Sequence, residues 1–144
     1  MPRFLVVAHQ TAASAELATH IGRLVKADPT TRFVLLVPAT PKQHLLTWEE
    51  RETHEIARRA AETGRIRLLR EGAESVEVRI GDGSPLSAVS DELRRISDYD
   101  GIVVCTLPLG ASRWLSLDLP TRIERAFNLP VTHVVARRPV EVAV

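Results

Sequence analysis

Gly101-Ile-Val-Val-Cys-Thr106 and Val131-Thr-His-Val-Val-Ala136 are two short apolar runs, joined by a loop from Leu107 to Leu117 and an amphipathic stretch. Runs of this length, rich in β-branched residues, read as strands buried on both faces of a parallel sheet. In an open parallel sheet the loop after such a strand lies over the carboxyl edge, where ligands bind. Here that loop reads Leu-Pro-Leu-Gly-Ala-Ser-Arg-Trp-Leu-Ser-Leu-Asp-Leu-Pro from Leu107 to Pro120. It is poor in glycine and ends in a carboxylate just ahead of a helix.

The same alternation continues toward the start of the chain. Phe4-Leu-Val-Val-Ala8 and Phe33-Val-Leu-Leu-Val37 are further buried strands, and Val76-Glu-Val-Arg-Ile80 alternates as a strand with one wetter face does. Between them lie amphipathic helices. Thr11 is placed to cap the first, whose apolar positions are Leu17, Ile21, Leu24 and Val25, with Asp28-Pro29 ending it. Thr47-Trp-Glu-Glu50 is a capping box for the second. That helix carries Ile56, Ala60, Gly64 and Leu68 on one face, with Ala57, Ala61 and Leu69 beside them. Small residues there let it lie close to the sheet, although Gly64 costs about 1 kcal/mol relative to alanine. Its charges form a solvated face with pairs such as Glu55 to Arg59, and Gly72 closes it.

Gly81-Asp-Gly-Ser-Pro85 places Ser84 as N-cap and Pro85 at the first turn of a third helix, with Leu86, Val89, Leu93 and Ile96 inward. The last helix bears Leu119, Ile123 and Phe127. Five strands alternating with four helices imply right-handed crossovers, a parallel α/β sheet and helices on both faces. The 144 residues are expected to form a single domain, 1–144. The tail from Arg137 to Val144 alternates weakly and reads as an extra edge strand or a frayed end.

Composition excludes several function classes. Apolar residues are 44% and charged residues 26%, as in a soluble globular chain. A formal net charge of +1 gives no general basic surface for nucleic acid. One cysteine leaves no internal disulfide framework and no cysteine-based zinc site. No apolar run approaches the roughly 18 residues that cross a bilayer, and no signal peptide is visible, so a cytoplasmic location without membrane partners is expected. The remaining histidines, His20, His44, His54 and His133, stand on separate elements without a metal-ligand spacing.

The order of these elements and several local residues resemble the universal stress protein family over nearly the whole chain. His9-Gln10-Thr11 takes the place of that family's Asp-Gly-Ser-like turn after the first strand. Gly83-Ser84-Pro85 matches the glycine and proline before the third helix. Asp100 to Thr106 matches the fourth strand with its preceding aspartate, and Pro130-Val131 matches the Pro-Val that opens the last strand. The resemblance implies a Rossmann-like sheet of the adenine nucleotide alpha hydrolase type, with strand order 3-2-1-4-5. It also implies a homodimer built on the last strand, where an exposed edge invites pairing.

Departures from the family pattern bear on ligands. ATP-binding members carry Gly-x-x-Gly, nine residues, then Gly-Ser or Gly-Thr at the fourth helix. Here, aligned from the strand end, Cys105 and Pro108 fall on the first two glycine positions; counted back from Pro130-Val131, Leu117-Asp118 falls on the Gly-Ser, while Gly110 and Ser112 lie off the spacing. Phosphate needs glycines for close backbone approach and a helix N-terminus free to receive it. Asp118 puts a carboxylate beside that N-terminus instead. The expectation is an eroded nucleotide pocket, no catalysis and no resident cofactor. The role is stress-related or regulatory, through a small ligand or a protein partner at the crevice. The positions that would line a surviving ligand site are His9, Thr11, Gly83, Thr106, Gly110, Ser112 and Arg113.

Two alternatives stay open. ATP or AMP could be held by a rearranged loop through Gly110, Ser112 and Arg113, with Trp114 covering a ring. Against that, Arg113 could pair with Asp118 while Trp114 plugs the loop onto the core. A small enzyme could instead use His9 and Cys105, which end neighbouring strands, as a thiolate pair. The bland reading of those two residues is a hydrogen-bonded histidine and a buried small hydrophobe.

Overall fold

Every apolar run named above becomes a strand of one parallel sheet in the computed structural model, which describes residues 1–39, 50–81, 83–108 and 119–137. The elements follow as β1 (Arg3–Val7), α1 (Ala15–Ala27), β2 (Arg32–Pro38), α2 (Glu50–Arg70), β3 (Ser75–Gly81), α3 (Pro85–Arg95), β4 (Gly101–Thr106), α4 (Leu119–Phe127) and β5 (Val131–Val135). The strands are hydrogen-bonded in the order β3-β2-β1-β4-β5, all parallel.

The central strands read as unbroken apolar runs because both faces are covered. Val6, Phe33, Leu35, Val103 and Cys105 point to the α1/α2 side and meet Leu17, Ile21, Ala61 and Leu68. Leu5, Val7, Val34, Leu36, Ile102 and Val104 point to the other side and meet Val89 of α3 with Leu119 and Ile123 of α4. Burying large side chains such as Phe33, Leu5, Leu17, Ile21 and Ile123 almost completely, at about 1.5–3 kcal/mol each, is the main stabilising term.

The helix ends follow local chemistry with one adjustment, at the start of α1. Ser84 caps α3 with Pro85 in the first turn, as expected. At α1 the cap is Ser14, whose side chain accepts from the Leu17 N–H, and not Thr11. Two turns, Ala12 N–H to His9 O at 3.1 Å and Ser14 N–H to Thr11 O at 3.0 Å, delay the helix by three residues. On α2 the ion pair from Glu55 reaches Arg58, one residue short of Arg59, and Ile56 is only half-buried while Ala57, Ala60 and Ala61 take the inner face. Thr47, the expected cap of α2, lies outside the described residues. Gly64 does what its size suggested: a Cβ there would stand 2.8 Å from Ala12 Cβ and 2.9 Å from the Ala12 carbonyl oxygen. Gly72 adopts φ +99°, the left-handed region that ends a helix.

At the opposite end of the sheet, Asp100 ties β4 to β1. Its carboxylate accepts the Arg3 N–H at 2.8 Å, and its own N–H donates to the Arg3 carbonyl at 2.8 Å. The two sheet edges differ. Since Gly81 O bonds Ala39 N–H, the alternate residues Val76, Val78 and Ile80 turn their backbone groups outward from β3. Arg65 Nε donates to Val76 O at 3.3 Å and Arg79 Nη1 to Val78 O at 3.2 Å. On β5, Pro130 O and Ala136 N–H bond β4, so Val131, His133 and Val135 face outward. No residue of β5 carries a formal charge. The expected tail strand beyond Arg137 lies outside the described residues.

Candidate functional site

The register that sets Val7 opposite Val104 brings the end of β1 level with Cys105 and Thr106. This is the switch point of the sheet, where β1 leads outward to β2 and β4 to β5. His9, Thr11, Ser14, Cys105 and Thr106 all lie at this end of the sheet, each no more than 5% exposed; Thr11 and Ser14 face the fully buried Cys105, and Thr106 points to the other face of β4. The hydroxyls are committed to protein groups. Thr11 Oγ1 donates to the Cys105 carbonyl at 3.0 Å, and Ser14 Oγ lies 3.8 Å from the Cys105 sulfur. Thr106 Oγ1 shares a 2.6 Å hydrogen bond with His133 Nε2, and Thr106 O accepts from Ala136 N–H at 2.8 Å.

Burial pushes the Cys105 thiol up, and the opposing hydrogen bonds from Thr11 and Ser14 do not outweigh it. The neighbouring Glu16 carboxylate adds to the rise, and it also accepts the Arg137 N–H at 3.1 Å. A protonated, fully buried thiol is a poor nucleophile, so the arrangement offers hydrogen bonds and shape more readily than covalent chemistry. Burial also pulls the His133 imidazole below its ordinary value.

Of the sequence-predicted ligand positions, His9, Thr11 and Thr106 gather at this point. Gly83 does not; it follows β3, with β2 between that strand and β1. Gly110, Ser112 and Arg113 lie outside the described residues, as do Trp114 and Asp118. Ser14 was missed, although a serine immediately before the apolar period with an acidic residue in the first turn is a standard start signal. Among the described residues, no three His, Cys, Asp or Glu side chains are grouped to hold a metal ion.

The sheet order and the position of this crevice can be set beside solved structures. A universal stress protein in complex with cAMP superposes with a TM-score of 0.63 at 17% identity, covering 94% of this chain and 98% of that one. The chain has the universal stress protein fold. A universal stress protein from Archaeoglobus fulgidus aligns at TM-score 0.62 and 13% identity, over 93% of this chain and 98% of that one. A universal stress protein family member from Arabidopsis thaliana with AMP bound aligns at TM-score 0.53 and 17% identity, over 95% and 93%. No protein-family model and no curated protein sequence matches the chain. Within the universal stress protein fold, the contacts of Thr11, Ser14 and Cys105 stand at the carboxyl ends of β1 and β4. No helix among the described residues is long and apolar enough to cross a membrane.

Proposed function

We propose that the chain is a non-catalytic, universal-stress-protein-like domain with a stress-related or regulatory role, a single unit over residues 1–144, acting in the cytoplasm. Its nucleotide crevice is eroded, and it takes a small ligand or a protein partner in place of tightly held ATP. The observation that carries this reading is the hydrogen bond from Thr11 to the Cys105 carbonyl. It holds the β1–α1 loop across the switch point, with Ala12 pressed against Gly64. The missing glycines around Cys105, Pro108 and Leu117 and the carboxylate of Asp118 add to it. The buried, high-pKa thiol supports the absence of catalysis, and an unreactive Cys105 in thiol titration of the folded protein is the expected result.

Homodimerisation along β5 is part of the proposal. A second copy fits an uncharged edge strand better than β3, where Arg65 and Arg79 cover outward carbonyls.

The nucleotide reading has one observation in its favour, since two proteins of this fold are described with cAMP and with AMP. Equilibrium binding of labelled ATP, AMP and cAMP separates the two. The eroded crevice gives affinities weaker than about 1 mM. Micromolar binding that is lost in Arg113→Ala overturns it and assigns the loop residues Gly110, Ser112 and Arg113 to phosphate.

A further inference from the structure

The edge of β5, outermost among the described strands, has a symmetry that its sequence number alone does not reveal. The three residues whose backbone N–H and C=O groups point away from β4 are Val131, His133 and Val135. An antiparallel partner strand bonds to just such alternate residues. Two identical β5 strands related by a two-fold axis therefore satisfy all three positions at once in one register. Val131 meets the other copy's Val135, Val135 meets its Val131, and His133 meets itself. A two-fold interface requires this self-complementarity.

We propose that the two-fold axis of a β5-paired dimer passes at His133, so that the two imidazoles stand side by side and the dimer loosens as they take up protons. This rests on the homodimer proposed above and deepens it by naming the register and the regulation. Residues opposed as a hydrogen-bonded antiparallel pair have Cα atoms about 5.5 Å apart, with side chains on the same face of the joined sheet. The 2.6 Å contact with Thr106 leans each ring toward its own β4 on the α3/α4 face, which fixes its position relative to the axis, so the two rings face each other across the axis without touching.

Among the described residues, none of the strand side chains that share the ring's face is charged. On β4 its face carries Val104 and Thr106, and on β5 it carries Val131 and Val135. The helix packed on that face, α4, bears Arg122, Glu124 and Arg125, all exposed. On the opposite face, Glu16 of α1 accepts the Arg137 N–H. Cys105 points to that opposite face as well. Burial already disfavours the charged imidazole in one subunit. A second imidazolium within several Å disfavours it further, through repulsion that is substantial at an interface partly shielded from water.

The sign follows directly. The paired state holds fewer protons than the separated subunits, so association strengthens as pH rises through the histidine range and weakens below it. Sedimentation equilibrium of the full chain at about pH 7.5 and about pH 5.5 reads this as a dissociation constant raised roughly tenfold at the lower pH. His133→Gln keeps a hydrogen-bonding side chain without the charge and gives a dimer insensitive to the same change. His133→Cys tests the register independently of pH. Opposed cysteines with Cα atoms near 5.5 Å close a disulfide under mild oxidation, whereas Thr132→Cys, off the axis, does not cross-link.

A dimer whose affinity is equal at the two pH values, or one that Thr132→Cys locks and His133→Cys does not, overturns the inference and leaves the homodimer standing. A monomer at both pH values overturns both.

Discussion

The outer strands β3 and β5 solve the problem of an exposed edge in opposite ways. β3 is seven residues long, carries Glu77 and Arg79, and has the carbonyls of Val76 and Val78 covered by guanidinium groups from Arg65 and Arg79. Arg79 is itself held from two sides, by Glu77 at 2.9 Å and by the buried Glu92 at 3.4 Å. Tyr99 donates toward the same Glu92 oxygen at 3.5 Å. β5 is five residues long, without a formal charge, and leaves Val135 43% exposed. Charge and capping along an edge block a second chain, whereas an uncharged edge admits one. Among the described residues the sheet thus has a closed side and an open side, and this asymmetry favours β5 over β3 as the edge for the proposed homodimer.

The largest effect is expected at the closed edge. Arg79→Leu removes the cation facing a carboxylate that is only 3% exposed, and should cost about 3 kcal/mol in urea unfolding. In a Glu92→Gln background most of that loss should disappear, while the uncovered Val78 carbonyl still permits new association through β3. Stability that is unchanged in the single variant would show that Glu92 does not depend on Arg79. Next comes Val135→Pro, which deletes an outward N–H without touching the ladder to β4. It should weaken self-association about thirtyfold, close to 2 kcal/mol, with circular dichroism unaltered. An undiminished dimer places the interface elsewhere.

Arg65→Met should cost about 1 kcal/mol or less and, at high concentration, produce species larger than a dimer as Val76 O becomes available. The smallest change is at Tyr99, the one tyrosine of the chain. Burial first, then the Glu92 charge, pushes its phenol well above the ordinary value. The folded chain then binds more protons than the unfolded one above about pH 10, so stability falls as pH rises past that point. Phenolate absorbance should appear only with alkaline unfolding; a normal titration in the folded state would contradict the burial. Tyr99→Phe should cost about 0.5–1 kcal/mol.

Most of the architecture could be read from periodicity. The runs at Phe4, Phe33 and Ile102 are apolar at consecutive positions because helices cover both faces, whereas a strand with one wet face alternates. Ser84-Pro85 and Gly72 marked helix ends because cap and left-handed geometries suit few residue types. Thr11 misled because a threonine ahead of an amphipathic run is locally a good cap. What decided its fate was the Cys105 carbonyl, 94 residues away, which no local pattern contains. Glu92 was hidden for the same reason. It occupies an inward helical position, and only the folded sheet brings Arg79 and Tyr99 to it. At the candidate site, the gathering of His9, Thr11 and Thr106 was legible from strand ends and topology. The separation of Gly83 follows from the sheet order, which sets β2 between β3 and β1.

The reciprocal bonds between Arg3 and Asp100 bear on how the chain emerges during synthesis. β1 is the middle strand, yet its second neighbour is made only after nearly a hundred further residues have been translated. Until then Phe4 to Val7 has a partner on one side alone, and its other side is a sticky, water-facing ladder. Closing so long a loop is entropically slow and late. The β4-facing edge of β1 is therefore the last part of the sheet's centre to be covered, and the Arg3–Asp100 bonds mark the step at which the sheet closes.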